Sequence, residues 1–236
     1  MQWLRALHSS HAHAAVAGGV ALSAYAMHIS QRPIHALEQP AEGHIFVING
    51  FYMAMREKYT KKGASIYYYL VEWEPDKLSW KDFRGEVVGA TDPATGADGS
   101  LRKAIFTNWK SLGLAAEPNV GDNGIHASAS PFEALAERLN WMSAKLEDDA
   151  FGEAMLTSGV PKETIMSWTK DPQVTYEGKK ASLFDLLEDL NYDECLAKSQ
   201  AIAGVSAKRP SGKMQAFVFL KPHAVSAPRE PGSWPL

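Results

Sequence analysis

The chain carries a single cysteine, Cys195, in 236 residues. A lone thiol excludes an internal disulfide framework and a cysteine-based zinc site, and a reducing compartment is the simplest setting. Long basic runs are missing too, and the formal net charge is −3. That argues against a surface that binds nucleic acid by neutralising many phosphates. A small nucleotide needs only two or three cations and stays open. No long hydrophobic run exists either. The alanine-rich stretch from Ala14 to Met27 is short and rich in small residues, which argues against a membrane span. Acidic residues are absent before Glu38. Such a start, with Arg5, Arg32 and several serines and histidines, admits an ordinary buried helix, a mitochondrial transit peptide or a membrane anchor. The expected setting is cytoplasmic or mitochondrial, with membrane association unlooked for.

What is present is ordinary for a folded chain: 45% hydrophobic, 22% charged and 10% aromatic residues. The length fits one large domain or a domain with an appendage. His44–Phe51 and Ser65–Trp73 read as strands, the second ending before the turn signal Glu74–Pro75–Asp76. Phe51–Tyr59 between them reads as a short helix closed near Gly63. Gly85–Gly89 is a shorter strand candidate, Asp92–Gly99 a loop, Leu101–Leu112 a helix and Gly113–Gly124 another loop. Ser130, Pro131 and Glu133 form a capping-box start, and Phe132, Leu135, Leu139 and Met142 follow at helical spacing. Another helix starts at Ser182 with Leu183, Leu186, Leu187 and Leu190 on one side. After the polar linker Ala207–Lys213 comes a strand, Ala216–Leu220, and the tail Ser226–Leu236 reads as extended.

Chemistry concentrates between residues 91 and 137. Thr91–Asp92–Pro93 is followed by Gly99–Ser100–Leu101–Arg102, then by Asn123–Gly124–Ile125–His126–Ala127–Ser128, and Glu137 comes eleven residues after His126. A neutral imidazole can act as a nucleophile near cellular pH. A carboxylate such as Glu137 can orient the ring and stabilise the positive charge it develops. Arg102 offers a fork of donors to phosphate oxygens. Thr91 and Asn123 offer neutral hydrogen bonds to phosphate or sugar. Phosphoryl transfer is mostly positioning and charge stabilisation, so these residue types suffice in kind. A single loop histidine is, by itself, most often a surface or structural residue; the ordered set is what is specific.

That set resembles the nucleoside diphosphate kinase family, whose core reads T-N-P, G-T-I-R, then N-x-x-H-G-S before a glutamate-bearing helix. The resemblance runs from about Tyr59 to Met142. The family's first strand carries a lysine in a text like F-I-M-V-K-P-D-G-V. Here the matching text, Phe217–Val218–Phe219–Leu220–Lys221–Pro222–His223–Ala224–Val225, comes near the end of the chain. Either the chain is circularly permuted, with Ala14–Met27 and Arg32–Pro40 standing for the family's first helix and second strand, or this segment is a fragment of a second copy that pairs with another chain. Termini that lie close together at the surface tolerate permutation, and the reading adopted is a closed single domain.

The resemblance implies an α+β, ferredoxin-like antiparallel sheet with helices packed on it. Here that means a core over residues 1–145, a helical insert over 146–210 and a strand and tail over 211–236. It also implies ping-pong transfer of a γ-phosphate from a nucleoside triphosphate to a nucleoside diphosphate, with Mg²⁺ on the nucleotide and a homo-oligomer or larger complex as the assembly. Carried over by residue, His126 is the nucleophile, Glu137 and Ser128 support it, and Lys221, Arg102, Thr91 and Asn123 hold phosphates and ribose. No protein-bound metal site is implied.

The pattern also breaks. The family's arginine six residues before the threonine falls on Gly85, beside Arg84; in a strand a one-residue shift would point that side chain to the opposite face. Loss of one such arginine costs about 10²–10³ in rate. His223 stands where the family has aspartate, and Ala127 and Ala129 replace glycine and aspartate. The loop between Arg102 and Asn123 is longer than usual, and Tyr52 and Phe46 are the candidates for a tyrosine near the phosphates. These departures support a second reading: a catalytically weakened nucleotide-binding or structural subunit. Trp73, Trp80, Trp109, Trp168 and Trp234 would be its candidate contacts, though tryptophan is more often a core or half-buried residue.

Overall fold

Met214–Leu220 (β6) reads MQAFVFL, nearly all apolar, and a run of that kind belongs where both faces are covered. It takes the interior of a four-stranded antiparallel sheet. The computed structural model describes residues 5–10, 50–206 and 212–225. Arg5–Ser10 (β1) pairs with Tyr67–Trp73 (β2), β2 with β6, and β6 with Ile125–Ala127 (β3). The architecture is therefore α+β, a small antiparallel sheet with several helices. Strand β1 falls where the sequence pattern gave no strand. The helix read over Ala14–Met27, the segment Arg32–Pro40, Phe46 and Trp234 lie outside the described residues, as does most of the strand read at His44–Phe51. Gly50 and Phe51, at the end of that reading, are instead helical, in Gly50–Thr60 (α1).

Side chains alternate across the sheet. One set, Val71, Trp73, Ile125, Ala127, Met214, Ala216 and Val218, faces the large apolar cluster. The alternate set, Phe217 and Phe219, meets Ile66, Tyr59, Tyr68, Leu70, Trp141 and Met142 in a smaller one. His126 lies opposite Phe219 in the ladder and so falls on the face of the smaller cluster, outside the main core.

The region 83–89 departs from the sequence reading. Trp80–Asp82 (α2), capped by Ser79, runs on as a π-helix over Phe83–Val88, not as a strand. Its aromatic residues set this: Phe83 stacks on Trp73 at 4.4 Å between ring centroids, and Trp80 lies 5.1 Å from Trp73. Both tryptophans and Phe83 are buried. Trp80 Nε1 also donates to Ser128 O at 3.0 Å, tying this turn to the histidine strand. The strand-parity argument about Arg84 and Gly85 therefore has no strand to act on.

Leu101–Asn108 (α3) is shorter than the helix read over Leu101–Leu112. Residues 109–112 continue as turns with mixed pairing, Leu112 N–H to Asn108 O at 2.9 Å and Gly113 N–H to Lys110 O at 3.0 Å, and stop at Gly113, whose φ is +76°. Pro131–Trp141 (α4) starts as expected, with Ser130 Oγ accepting from Glu133 N–H at 3.1 Å. The reciprocal bond is displaced by one residue: the Glu133 carboxylate accepts from Ala129 N–H at 3.0 Å.

Within 146–206, the helices Ala150–Thr157 (α5), Lys162–Trp168 (α6), Leu183–Leu187 (α7) and Tyr192–Ala203 (α8) are joined by a hairpin, Gln173–Tyr176 (β4) with Lys179–Ser182 (β5), that the helical reading left out. Helix α7 stops before Leu190 because Glu188 is extended and Asp189 has φ +59°, and both carboxylates reach Arg84. Phe151, Met155, Leu183, Leu187 and Leu196 share the large cluster with Trp73 and Met214, so this region helps build the core. Trp168 is buried there and Trp109 half-buried against it. No helix among the described residues is long and apolar enough to cross a membrane.

Gly124, at the entry to β3, needs its lack of a side chain. Its φ is +89°, and a Cβ would come within 2.9 Å of Ile105. Gly124→Ala is expected to lower unfolding free energy by about 1–3 kcal/mol, read from urea titration; a change below a few tenths would show that Ile105 and the loop yield freely.

Candidate functional site

The site is built on the β3–β6 pairing. In that register Ile125 faces Leu220 and His126 faces Phe219, and Lys221 N–H donates to Gly124 O at 2.9 Å, extending the ladder by one step. Lys221 follows Phe219 by two residues in extended backbone and so falls on the same face as His126. Pairing of two antiparallel strands is thus what brings together groups 95 positions apart (221 minus 126).

His126 stacks on Phe219, with ring centroids 4.7 Å apart. Its Nε2 makes a short hydrogen bond to Glu137 Oε1. The other carboxylate oxygen of Glu137 accepts from Ser128 Oγ at 2.6 Å, and Ser128 Oγ accepts from Phe217 N–H at 3.0 Å. The chain thereby fixes one nitrogen of the ring and leaves Nδ1 as the one not held by Glu137. The His126 side chain keeps 27% of its surface, so the ring is reachable.

Glu133 joins them. Residues 133 and 137 are one turn apart on α4 and share a helix face. Burial first, and the Glu137 charge second, push the Glu133 carboxyl up to about 7, against the pull of His126 and of the Ala129 N–H. For His126, burial disfavours the charged ring. The Glu137 carboxylate, by charge and by hydrogen bond, with Glu133 adding to it, outweighs burial and raises the ring's pKa above the ordinary value. Ligand atoms of His126, Glu133 and Glu137 lie within 4.8 Å of one another, close enough to hold a cation. Both oxygens of Glu137 are already bonded to His126 and Ser128, so the trio reads first as a proton-sharing cluster.

Opposite this cluster the charge changes sign. The Lys221 ammonium has no hydrogen bond or ion pair among the described residues. Burial, then the charge of Arg102, with Lys58 adding and Asp122 opposing, lower it to about 8. Arg102 has no carboxylate partner among the described residues. Its Nη1 donates to Gly89 O at 2.8 Å, and Nε and Nη2 donate to Ile125 O at 3.3 and 3.2 Å. Burial and the Arg84 charge lower its pKa to about 10. Two half-buried cations short of counter-charge make a place where an anion is favoured.

The remaining expected residues divide. Asn123 is 2% exposed, and its Nδ2 donates to Thr91 O at 3.0 Å. Its Oδ1 is buried without a partner among the described residues. Thr91 is exposed, and it is its carbonyl, not its hydroxyl, that bonds to this network. Arg84 is turned away to the insert, at 2.7 Å from Glu188 Oε1 and 2.6 Å from Asp189 Oδ1. The Tyr52 side chain lies outside the described residues. Glu133, Lys58, Asp122 and His223 enter the site without having been singled out for it. The four-residue spacing of Glu133 and Glu137 was a readable signal; Lys58 meets Asp122 across 64 positions, at 2.6 Å, with no local sign of it.

Scans of the chain against family models, and searches among curated proteins and solved structures, return no match. Function must therefore be argued from the site.

Proposed function

We propose that the chain is a nucleoside diphosphate kinase-like phosphotransferase, with a ferredoxin-like arrangement of its sheet and helices. The observation that carries this reading is the imidazole of His126, clamped at Nε2 by Glu137 and within the field of the undercompensated Lys221 ammonium, which in turn feels the charge of Arg102. The Nδ1 lone pair attacks the γ-phosphorus of a nucleoside triphosphate. The bond from that phosphorus to the β–γ bridging oxygen breaks, and the nucleoside diphosphate leaves with the electron pair. Glu137 holds the Nε2 proton and stabilises the ring as it gains positive charge. A second nucleoside diphosphate then takes the phosphoryl group back off Nδ1 by the reverse step.

Lys221 and the two N–H groups of Arg102 not used on carbonyls serve the phosphate oxygens. The orphan acceptor Oδ1 of Asn123 suits a ribose hydroxyl, which can donate to it. Mg²⁺ on the nucleotide supplies further neutralisation of phosphate charge. A homo-oligomer or a larger complex is the expected assembly.

The test is incubation with γ-labelled ATP. An acid-labile, alkali-stable label on His126, discharged by added nucleoside diphosphate, is expected. Absence of label from folded protein at high concentration would favour the second reading, a nucleotide-binding subunit without catalysis. That reading draws on one specific observation: Arg84, the only arginine beside Gly85, is paired with Glu188 and Asp189.

The pH dependence follows from the charges. Attack needs the neutral His126 ring, and its pKa is raised, so label formation should climb as pH rises past the ordinary histidine value, by about tenfold per unit on that limb. Phosphate binding needs charged Lys221, whose pKa is lowered to about 8, so the free-enzyme profile should fall above it. The acid limb belongs to the coupled His126–Glu133–Glu137 cluster, not to one residue. A profile flat from about pH 6 to 9 would contradict this assignment.

A further inference from the structure

His223 stands three residues beyond the end of β6, in the turn Pro222–Ala224. Its ring has a neighbour at each nitrogen. Nε2 accepts from Gly124 N–H at 3.1 Å, and Nδ1 lies 3.3 Å from Asp122 Oδ1. A ring that accepts at Nε2 and faces a carboxylate at Nδ1 carries its single proton on Nδ1. The Gly124 peptide is thereby gripped from two directions by one short segment: its N–H by His223, its carbonyl by Lys221 N–H at 2.9 Å. Gly124 is two residues from His126 and leads directly into β3.

We propose that His223 is a proton-sensitive positioning residue: its neutral ring latches the loop before His126 onto the Lys221 segment, keeping imidazole and ammonium in one anion site, and its protonation releases that loop. The identity of the anion as a nucleoside triphosphate rests on the function proposed above; the latch does not.

The chemistry runs in one direction. A protonated ring donates at both nitrogens, so Gly124 N–H would lose its acceptor and face another donor. The charged groups around the ring are Asp122 on the loop, Lys58 on α1 and Lys221 on the same segment, and Tyr59 on α1 feels the same Asp122 charge. Lys58 already bonds Asp122, at 2.7 and 2.6 Å to its two oxygens. The Tyr59 hydroxyl is pushed up to about 12 by burial and the Asp122 charge, so it remains neutral. Burial first, with Lys221 and Lys58 adding, holds the His223 pKa below its ordinary value against Asp122. A group lowered in this way gives its full contribution above its ordinary pKa and loses it as pH falls from there through its folded pKa.

The experiment follows the Gly124 amide and Mg²⁺–ATP affinity in the full chain. Hydrogen-exchange protection of Gly124 and calorimetric affinity would be measured from about pH 5 to 8, the range over which a histidine titrates, for the native chain, His223→Gln and His223→Phe. Glutamine Oε1 reaches about as far as Nε2 and accepts without titrating. In the native chain, Gly124 protection and ATP affinity should fall together on the acid side, affinity by up to about tenfold per pH unit below the His223 pKa. The Gln variant should retain most of the neutral-pH values and lose this part of the acid fall. His126 and Glu133 titrate in both proteins, so the difference isolates His223. The Phe variant should lose Gly124 protection at every pH.

An acid curve in the Gln variant identical to the native one overturns the proposal, and so does Gly124 protection that ignores pH. Should the Phe variant not fold, the native–Gln comparison decides alone. Should ATP fail to bind the native chain at any pH, the nucleotide reading falls while the Gly124 readout still judges the latch.

Discussion

Glu137→Gln is expected to cut the proposed phosphoryl transfer by about 10²–10³ and to lower the pKa of His126. The two effects have one cause. Glutamine has nearly the same shape, and its Oε1 can still accept from the ring. What it lacks is the negative charge. In the native chain the Glu137 carboxylate is the largest influence opposing burial at His126. Without it, burial prevails and the charged imidazole is disfavoured. The free ring is then neutral over a wider pH range, which by itself would help attack. The transition state, however, places positive charge on that ring and has lost the group that met it.

The expected result is therefore slower transfer with an acid limb moved to lower pH. A variant that had merely become misfolded would show no such displaced limb. Glu133 supplies an independent check. The Glu137 charge is among the influences holding its carboxyl at about 7, so Glu137→Gln should bring the Glu133 titration down, visible by side-chain carboxyl NMR. A rate within threefold of native, with the His126 titration unmoved, would remove Glu137 from the mechanism.

Much of this site was legible because it is local. Asn123, His126, Ser128 and Glu137 lie within fifteen positions, and the capping signal at Ser130 placed Glu137 on a helix starting just after the histidine. The strand ending at Leu220 was legible from its apolar run. Its neighbours were not, since an apolar strand says that it is covered but not by what. Residues 85–89 were misread because Gly–Glu–Val–Val–Gly has strand-like composition, while the winding is decided by Phe83 stacking on Trp73 from another element. The short α7 was misread for a related reason: Leu190 continues the leucine spacing, but Glu188 and Asp189 leave the helix to meet Arg84 across about a hundred positions. Likewise Ala129, not Ser130, receives the Glu133 carboxylate, a one-residue displacement that puts this second acid beside His126. Local propensity carries none of these long-range demands.

Coupling between elements also makes Arg138 consequential for stability. It lies on α4 one position after Glu137 and is 4% exposed. Its guanidinium meets Asp149 Oδ2, with Nε at 2.6 Å and Nη2 at 2.5 Å. The other oxygen of Asp149 caps α5, accepting from Phe151 and Gly152 N–H at 3.0 Å each. Arg138→Ala leaves a buried carboxylate without its cation, and the expected loss is about 3–5 kcal/mol of unfolding free energy, measured by urea titration at neutral pH. Asp149→Asn should cost less, because the amide oxygen can still cap α5. Combined with Arg138→Met, which fills the space without a charge, it should recover most of the loss, since a buried pair replaced whole is often close to neutral.

A single-variant loss under about 1 kcal/mol would mean that water reaches Asp149 and that the pair is not buried in solution. The pair also bears on the site: α4 carries Glu133 and Glu137 on adjacent turns, and Asp149 fixes α4 to the insert. Should Arg138→Met/Asp149→Asn restore stability and leave transfer slow, the pair's contribution is to the aim of Glu137 at His126. Should both recover together, it is to folding alone.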